Sequence, residues 1–179
     1  MITTEDTALV IIDVQEKLVP AMHNKEALLD NLKKMVKGAR ILRLPILLTE
    51  QNPAGLGPTA PEISELLPDE KPVSKFSFSS CGTEEFIKEI KAANRQSILI
   101  VGMEAHVCVY QTAADLVNLN YDVQVVADAV ASRTPQNKQI GLEKSKAAGA
   151  GITSTEIALF ELLKIAKGDK FKEIIKIVK

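Results

Sequence analysis

Short apolar segments alternate with segments of helical periodicity along the whole chain, and this alternation constrains the fold more than any other feature. The apolar segments are rich in β-branched residues and have the length of single strands. Near-continuous apolar runs are typical of strands in a parallel sheet that is covered on both faces. The predicted strands span residues 7–14, 45–49, 71–75, 97–101, 122–127 and 151–153.

Between these runs the apolar period becomes helical. Leu28, Leu32, Met35, Val36 and Ala39 fall on one face of a predicted helix. Strands that alternate with helices predict a three-layer α/β/α fold, doubly wound on a mainly parallel six-stranded sheet. A length of 179 residues suits a single domain over residues 1–179.

Composition excludes several classes of protein. The chain has 22 Lys and Arg against 23 Asp and Glu, a net charge of −1 that gives no reason to expect a nucleic-acid or anionic-membrane partner. No apolar stretch is long enough to span a bilayer. The N-terminus lacks the basic region of a signal peptide, and two cysteines do not form a disulfide framework, so we expect a cytoplasmic location. The first turn, DVQEK, lacks a glycine-rich phosphate loop, which disfavours a nucleotide-binding oxidoreductase.

Three chemically reactive side chains fall at one predicted edge of the sheet. Ligands of open α/β sheets bind outside the carboxyl ends of the strands. Asp13 closes the first strand, Lys75 ends the third, and Cys108 follows the fourth at the start of a helix. A helix N-terminus and a lysine ammonium lower a thiol pKa, and an aspartate can act as general base. A structural cysteine, a solvated lysine and an aspartate that caps a helix with Glu16 remain open alternatives.

The segments VIIDVQ, SKFSFSSC and VGMEAHVCVYQTA, in this order and spacing, resemble the isochorismatase-like cysteine hydrolases, in particular the YcaC-like and isochorismatase-domain-containing subgroup. The similarity continues through LLTEQNPAGLGPT, VVADAVASR and AGAGITSTEIALFELL, and so covers nearly the whole chain. The resemblance implies that Asp13 is the general base, that Lys75 helps to hold the thiolate and that Cys108 is the nucleophile. It also implies a homo-oligomer.

The same resemblance implies a cis peptide bond between Met103 and Glu104. The backbone N–H groups of Glu104 and Cys108 would then form an oxyanion hole. Nicotinamidases of this fold hold a metal with an Asp and histidines after the second strand, whereas this chain reads TEQNPAGLG there and has only His23 and His106. A paired-His metal site is therefore excluded in that region, and we expect no metal and no other cofactor.

Four further residues are candidates for substrate binding, and each has a structural alternative. Gln15 lines the site or is an exposed residue at a helix start, and Gln51 touches substrate or bonds the backbone of its loop. Phe76 walls an apolar pocket or packs in the core. His106 contacts substrate or is a polar residue satisfied at a helix start or a subunit contact.

These observations predict a hydrolase that cleaves a C–N bond of a small amide or carbamoyl-type substrate through a thioester-type intermediate on Cys108. Two other functions stay open at this point. One is a catalytically idle oligomeric scaffold, and the other is a thiol redox protein that uses Cys108, although no C-x-x-C motif is present.

Overall fold

In the computed structural model, which describes residues 1–179, six strands form one sheet in the order β3-β2-β1-β4-β5-β6, and every neighbouring pair is parallel. The predicted doubly wound α/β fold is confirmed, with a sheet that is entirely rather than mainly parallel. The strands are β1 (Thr7–Ile12), β2 (Ile46–Gln51), β3 (Val73–Lys75), β4 (Ser97–Met103), β5 (Asp122–Ala131) and β6 (Gly151–Thr153).

Helices cover both faces of the sheet. The helices are α1 (Lys25–Leu42), α2 (Pro53–Leu56), α3 (Pro61–Ser64), α4 (Glu84–Ala93), α5 (Tyr110–Asn118), α6 (Pro135–Ala147), α7 (Thr155–Leu163) and α8 (Asp169–Val178). One face packs against α1, α3, α7 and α8, and the other against α4, α5 and α6. The long loop after β2 contains the one-turn helix α2 and leads into α3. None of the helices combines the length and hydropathy that crossing a membrane requires.

Successive residues of the central strand enter two separate cores. Leu9 and Ile11 of β1 pack on the α1 side, and Ala8, Val10 and Ile12 pack on the α5 side, all of them fully buried. Because successive side chains of a strand point to opposite faces, a strand covered on both sides must be apolar at every position. The continuous run TALVII therefore follows from the place of β1 in the middle of the sheet.

The first strand is shorter than predicted. The sequence pattern extends it to Val14, but β1 ends at Ile12 because Asp13 has a left-handed backbone conformation with a φ of 52°. A non-glycine residue rarely adopts this conformation outside functional or tightly constrained positions. The turn places the Asp13 side chain at the carboxyl edge of the sheet instead of continuing the strand.

The fourth and fifth strands are longer than predicted and end side by side. Their pairing shifts register, so that Ile100 lies opposite Val125 but Gly102 lies opposite Val130. The extra residues in β5 form an irregularity next to the carboxyl edge. Since the strand order reverses between β1 and β4, this edge is the topological switch point at which doubly wound folds bind ligands.

Candidate active site

Asp13 and Lys75 form an ion pair that is almost completely shielded from solvent. Lys75 Nζ lies 2.7 Å from Asp13 Oδ2, and the exposed fractions of the two side chains are 0% and 1%. The hydroxyl of Thr49 donates to Asp13 Oδ1 over 2.8 Å. Each oxygen of the carboxylate therefore accepts a hydrogen bond, which a buried charge requires.

The ammonium of Lys75 is surrounded by oxygen atoms. Besides Asp13, it contacts Gln51 Oε1 at 2.9 Å and the carbonyl oxygens of Phe78 and Ser77 at 3.1 and 3.3 Å. Three protons thus face four acceptors, and none of the protons remains for a ligand. Lys75 is consequently fixed in position, with its charge balanced by Asp13.

Cys108 lies in a π-helical turn, Ala105–Val109, which leads directly into α5. The carbonyl of Glu104 closes the turn by accepting hydrogen bonds from the N–H groups of Val107 and Val109. Cys108 is buried, at the start of the helical segment that the sequence predicted there. Such π-helical turns are frequent at functional sites.

Burial raises the pKa of the Cys108 thiol to about 12. The negative charges of Asp13 and Glu104 contribute to this rise, whereas the Lys75 ammonium lowers the pKa. The lysine lowers the thiol pKa as predicted, but the pKa is raised overall, because desolvation and the carboxylate outweigh the ammonium. The site holds a protonated thiol beside a carboxylate that can accept its proton.

The segment before Cys108 presents a free backbone donor. The Met103–Glu104 peptide bond is cis, and the N–H of Glu104 donates to no group of the protein. Two glycines that sequence reasoning missed make room for this segment. A Cβ on Gly102, whose φ is 115°, would lie 2.1 Å from the carbonyl oxygen of Ile12, and one on Gly141 would lie 2.5 Å from the carbonyl of Ala105.

Gln15 takes neither of its two predicted roles, because it is not exposed at a helix start and its amide is bonded to the backbone instead of lining the site. It is fully buried, and its Nε2 donates to the carbonyls of Gln51 and Gly57 over 3.0 and 2.6 Å. Its Oε1 accepts from the N–H of Gln51 over 2.8 Å. With every polar atom of the amide engaged, Gln15 holds β2 and the following loop together and has nothing left for substrate.

Gln51 is likewise committed to the protein. Its Oε1 accepts from Lys75, and its Nε2 donates to the carbonyl of Phe76 over 2.8 Å. The predicted contact with substrate is replaced by a positioning role, because both ends of the amide hold the lysine and its loop.

Phe76 and His106 remain at the edge of the site. The Phe76 side chain is 80% exposed, which excludes the core alternative, and Phe78 is exposed as well. His106 is half-buried, and its Nδ1 lies 3.0 Å from Ser132 Oγ. No three side chains of the His, Cys, Asp and Glu type gather into a group that could hold a metal ion.

Sequence reasoning also missed two hydrogen bonds that join the lysine loop to the cysteine helix. The N–H of Ser80 donates to Thr112 Oγ1 over 2.9 Å, and the hydroxyl of Ser79 donates to Asp115 Oδ2 over 2.6 Å. Thr112 is one helical turn beyond Cys108. The loop that supplies carbonyl oxygens to Lys75 is thereby attached to the helix that begins at the nucleophile.

A second ion pair lies at the outer end of the site. Arg133 Nε lies 3.0 Å from Glu104 Oε2, and the N–H of Arg133 donates to the same oxygen over 3.3 Å. The Glu104 side chain is 14% exposed and that of Arg133 is 60% exposed. Glu104 directly follows the end of β4, and Arg133 lies two residues beyond the end of the neighbouring strand β5.

Related proteins match this chain over most of its length. The family model described as "Isochorismatase domain" matches residues 7–157. The secreted isochorismatase effector Isc1 of Phytophthora sojae (strain P6497) is 38% identical over 177 residues, which are 97% of this chain and 84% of the relative. Isochorismatase domain-containing protein 2 of Danio rerio is 36% identical over 179 residues, which are 99% of this chain and 89% of the relative.

Solved structures share the fold. MAR1 ribonuclease from Caenorhabditis elegans superposes with a TM-score of 0.90 at 34% identity, covering 99% of this chain and 91% of that one. YcaC from Pseudomonas aeruginosa, solved with hexane-2,5-diol and covalent acrylamide, has a TM-score of 0.93 at 25% identity, covering 98% and 90%. The resemblance identified from the sequence is confirmed: the chain belongs to the isochorismatase family and has the hydrolase fold of that family.

Proposed function

We propose that this protein is a metal-independent cysteine hydrolase that cleaves a C–N bond of a small amide or carbamoyl-type substrate, with Cys108 as nucleophile and Asp13 as general base. One observation carries the proposal. The Cys108 thiol and a buried carboxylate held by Lys75 lie together at the switch point of the sheet.

The reaction follows from the protonation states. Asp13 takes the thiol proton while Cys108 Sγ attacks the carbonyl carbon of the amide, so that no free thiolate has to persist in a buried place. The tetrahedral adduct collapses with cleavage of the C–N bond, and the proton on Asp13 passes to the departing nitrogen. Water then attacks the resulting thioester, and Asp13 takes and returns the proton that regenerates the thiol.

Lys75 acts without touching the substrate. Its four oxygen partners hold it beside Asp13, where its charge stabilises the carboxylate and, during attack, the developing negative charge at sulfur. The N–H groups of Glu104 and Cys108 are the donors that we assign to the oxyanion of the tetrahedral adduct. Removal of one such donor typically costs about 10²–10³ in rate.

The relatives support parts of this proposal and raise one alternative. The Pseudomonas YcaC structure carries covalent acrylamide, which is itself a small electrophilic amide. The Caenorhabditis relative is named a ribonuclease, whereas the net charge of −1 gives this chain no general attraction for RNA. A homo-oligomer and a cytoplasmic location remain predictions, and the Phytophthora relative is named as secreted.

A substrate screen tests the proposal. Wild-type protein and the Cys108→Ala variant are incubated with a panel of small uncharged amides, ureas and carbamates, and released ammonia or amine is measured, with Cys81→Ala as the matched control. We expect turnover in the wild type and in Cys81→Ala, and a loss of at least about 10³-fold in Cys108→Ala. RNA is tested alongside the panel. If the wild type hydrolyses RNA but no amide, and Cys108→Ala hydrolyses RNA equally well, the proposal is contradicted.

The two other functions predict different outcomes, one in the same screen and one in a separate treatment with peroxide. An idle scaffold hydrolyses nothing in the panel. A thiol redox protein loses free thiol on mild peroxide treatment, but redox-sensing cysteines have a low pKa and are accessible, whereas Cys108 is buried with a raised pKa.

A further inference from the structure

Two ion pairs lie at the carboxyl edge of the sheet, and the turn that contains Cys108 begins directly after a residue of one of them, Glu104. Asp13 is paired with Lys75, and Glu104 is paired with Arg133. Resting on the proposed hydrolase function, we infer that the site selects substrates that are uncharged next to the scissile bond, and that Glu104 determines this selectivity by neutralising Arg133. A carboxylate-bearing analogue of the substrate finds no cation in the site that lacks a carboxylate partner.

Glu104 and Arg133 lie together at the site because of the register between β4 and β5. Met103 at the end of β4 lies opposite Ala131 at the end of β5, and the chain positions just beyond them bring Glu104 and Arg133 together. Oε2 of Glu104 accepts from both the side-chain Nε and the backbone N–H of Arg133, while its Oε1 accepts no hydrogen bond from the protein. The guanidinium is therefore held against a carboxylate that still has an unused oxygen.

Glu104 is also directly connected to the nucleophile. Its carbonyl accepts the two hydrogen bonds that close the turn containing Cys108, and its N–H is free on the same segment. Ser132, the neighbour of Arg133, lies within hydrogen-bond distance of His106 in that turn. A negative group on a substrate bound at the thiol consequently meets the Glu104 carboxylate, and the like charges repel.

No other cation compensates for this repulsion. The Lys75 ammonium faces four oxygen atoms of the protein and is fully buried, so it cannot turn towards a substrate carboxylate. Arg133 is the cation that a substrate could reach, since its side chain is 60% exposed. Removal of the Glu104 charge leaves that guanidinium without its partner.

Alkylation of Cys108 by two reagents of different charge tests the inference without any hydrolytic turnover. Iodoacetamide is neutral and iodoacetate is anionic, and both displace iodide by attack of the same sulfur. The rate of each at Cys108 is measured by peptide mass spectrometry at low ionic strength and divided by its rate with free cysteine. The variants are Glu104→Gln, Arg133→Gln, the double variant, and Glu173→Gln on exposed α8 as a matched charge control.

We expect the iodoacetate-to-iodoacetamide ratio to rise about two- to fivefold in Glu104→Gln, the range of an exposed ion pair, and to fall in Arg133→Gln. We expect this ratio to rise less in the double variant, in which Arg133 is also replaced, and not to rise in Glu173→Gln. An equal rise with and without Arg133, or no rise beyond that of Glu173→Gln, would overturn the inference. If these ratios change as expected while no amide is hydrolysed, the proposed hydrolase activity fails and the charge selectivity stands.

Discussion

The inner end of the candidate site, around Asp13 and Lys75, and its outer end, around Phe76 and Arg133, differ in how many of their polar atoms form hydrogen bonds within the protein. At the inner end, Asp13 and Lys75 are shielded from water and bonded at almost every polar atom, and the partly exposed amide of Gln51 bonds Lys75 and the carbonyl of Phe76. At the outer end, Phe76 is 80% exposed and Arg133 retains guanidinium donors that bond nothing in the protein. The inner end therefore fixes the chemistry, while the outer end retains the capacity to recognise a substrate. Changes at the inner end should cost stability as well as rate, and changes at the outer end should alter substrate preference with little cost in stability.

The largest effect on stability is expected for Lys75→Met. This change leaves the Asp13 carboxylate buried without a counter-charge, and loss of one partner of a buried pair typically costs about 3–5 kcal/mol. Urea denaturation would measure the free energy of unfolding. The double variant with Asp13→Asn should recover part of that loss, because it removes the isolated charge. If Lys75→Met lowers the free energy of unfolding by less than about 1 kcal/mol, Asp13 and Lys75 do not form a buried ion pair at the inner end.

A smaller effect is expected for Thr112→Val, which breaks one of the two hydrogen bonds between the lysine loop and the cysteine helix. The buried N–H of Ser80 loses its acceptor, at a typical cost of about 1–3 kcal/mol. We also expect kcat to fall, since the carbonyl oxygens of Ser77 and Phe78 lose their fixed position against Lys75. Thr112→Ser keeps the hydroxyl and should restore kcat. A kcat that is equally low in Thr112→Ser would assign the effect to packing and not to this hydrogen bond.

The smallest effect on stability is expected for Phe76→Ala at the outer end. A side chain that is 80% exposed contributes little to the core, so the free energy of unfolding should change by no more than about 0.5 kcal/mol. If Phe76 contacts substrate, KM rises while the rate of acrylamide addition to Cys108 is unchanged. Phe160→Ala, at a partly exposed position on α7, is the control. An unchanged KM would remove Phe76 from the substrate site.

The fold and the three reactive residues could be predicted because they depend on local patterns. Continuous apolar runs such as TALVII mark strands with both faces buried, and parallel strands bring their carboxyl ends to one edge. Asp13, Lys75 and Cys108 each directly follow or end a strand or begin a helix, so their meeting at this edge follows from topology. The left-handed backbone of Asp13 and the extra residues of β5 have no comparable signal, because packing against neighbouring strands decides them.

The roles of Gln15 and Gln51 and the pKa of Cys108 could not be predicted for a different reason. An amide near a strand end looks the same in sequence whether it faces a ligand or the carbonyl of a distant loop, and Gln15 bonds Gly57 from 42 positions away. The thiol pKa depends on the balance between desolvation, Asp13 and Lys75. That balance is set by three-dimensional burial, which the helix-start position of Cys108 does not reveal.

The rate of acrylamide addition at the two cysteines of this chain tests the central claim most directly. Burial raises the pKa of Cys81 to about 11 and that of Cys108 to about 12, and Cys81 is the more exposed thiol. Exposure and thiolate fraction alone would therefore favour Cys81. If Asp13 removes the proton during attack, peptide mass spectrometry at pH 8 will find Cys108 modified first in the wild type, and Asp13→Asn will slow the modification of Cys108 although it removes a charge that raises the pKa of this thiol. Preferential modification of Cys81 in the wild type, or an unchanged or faster rate at Cys108 in Asp13→Asn, would contradict the assignment of Cys108 and Asp13 as nucleophile and base.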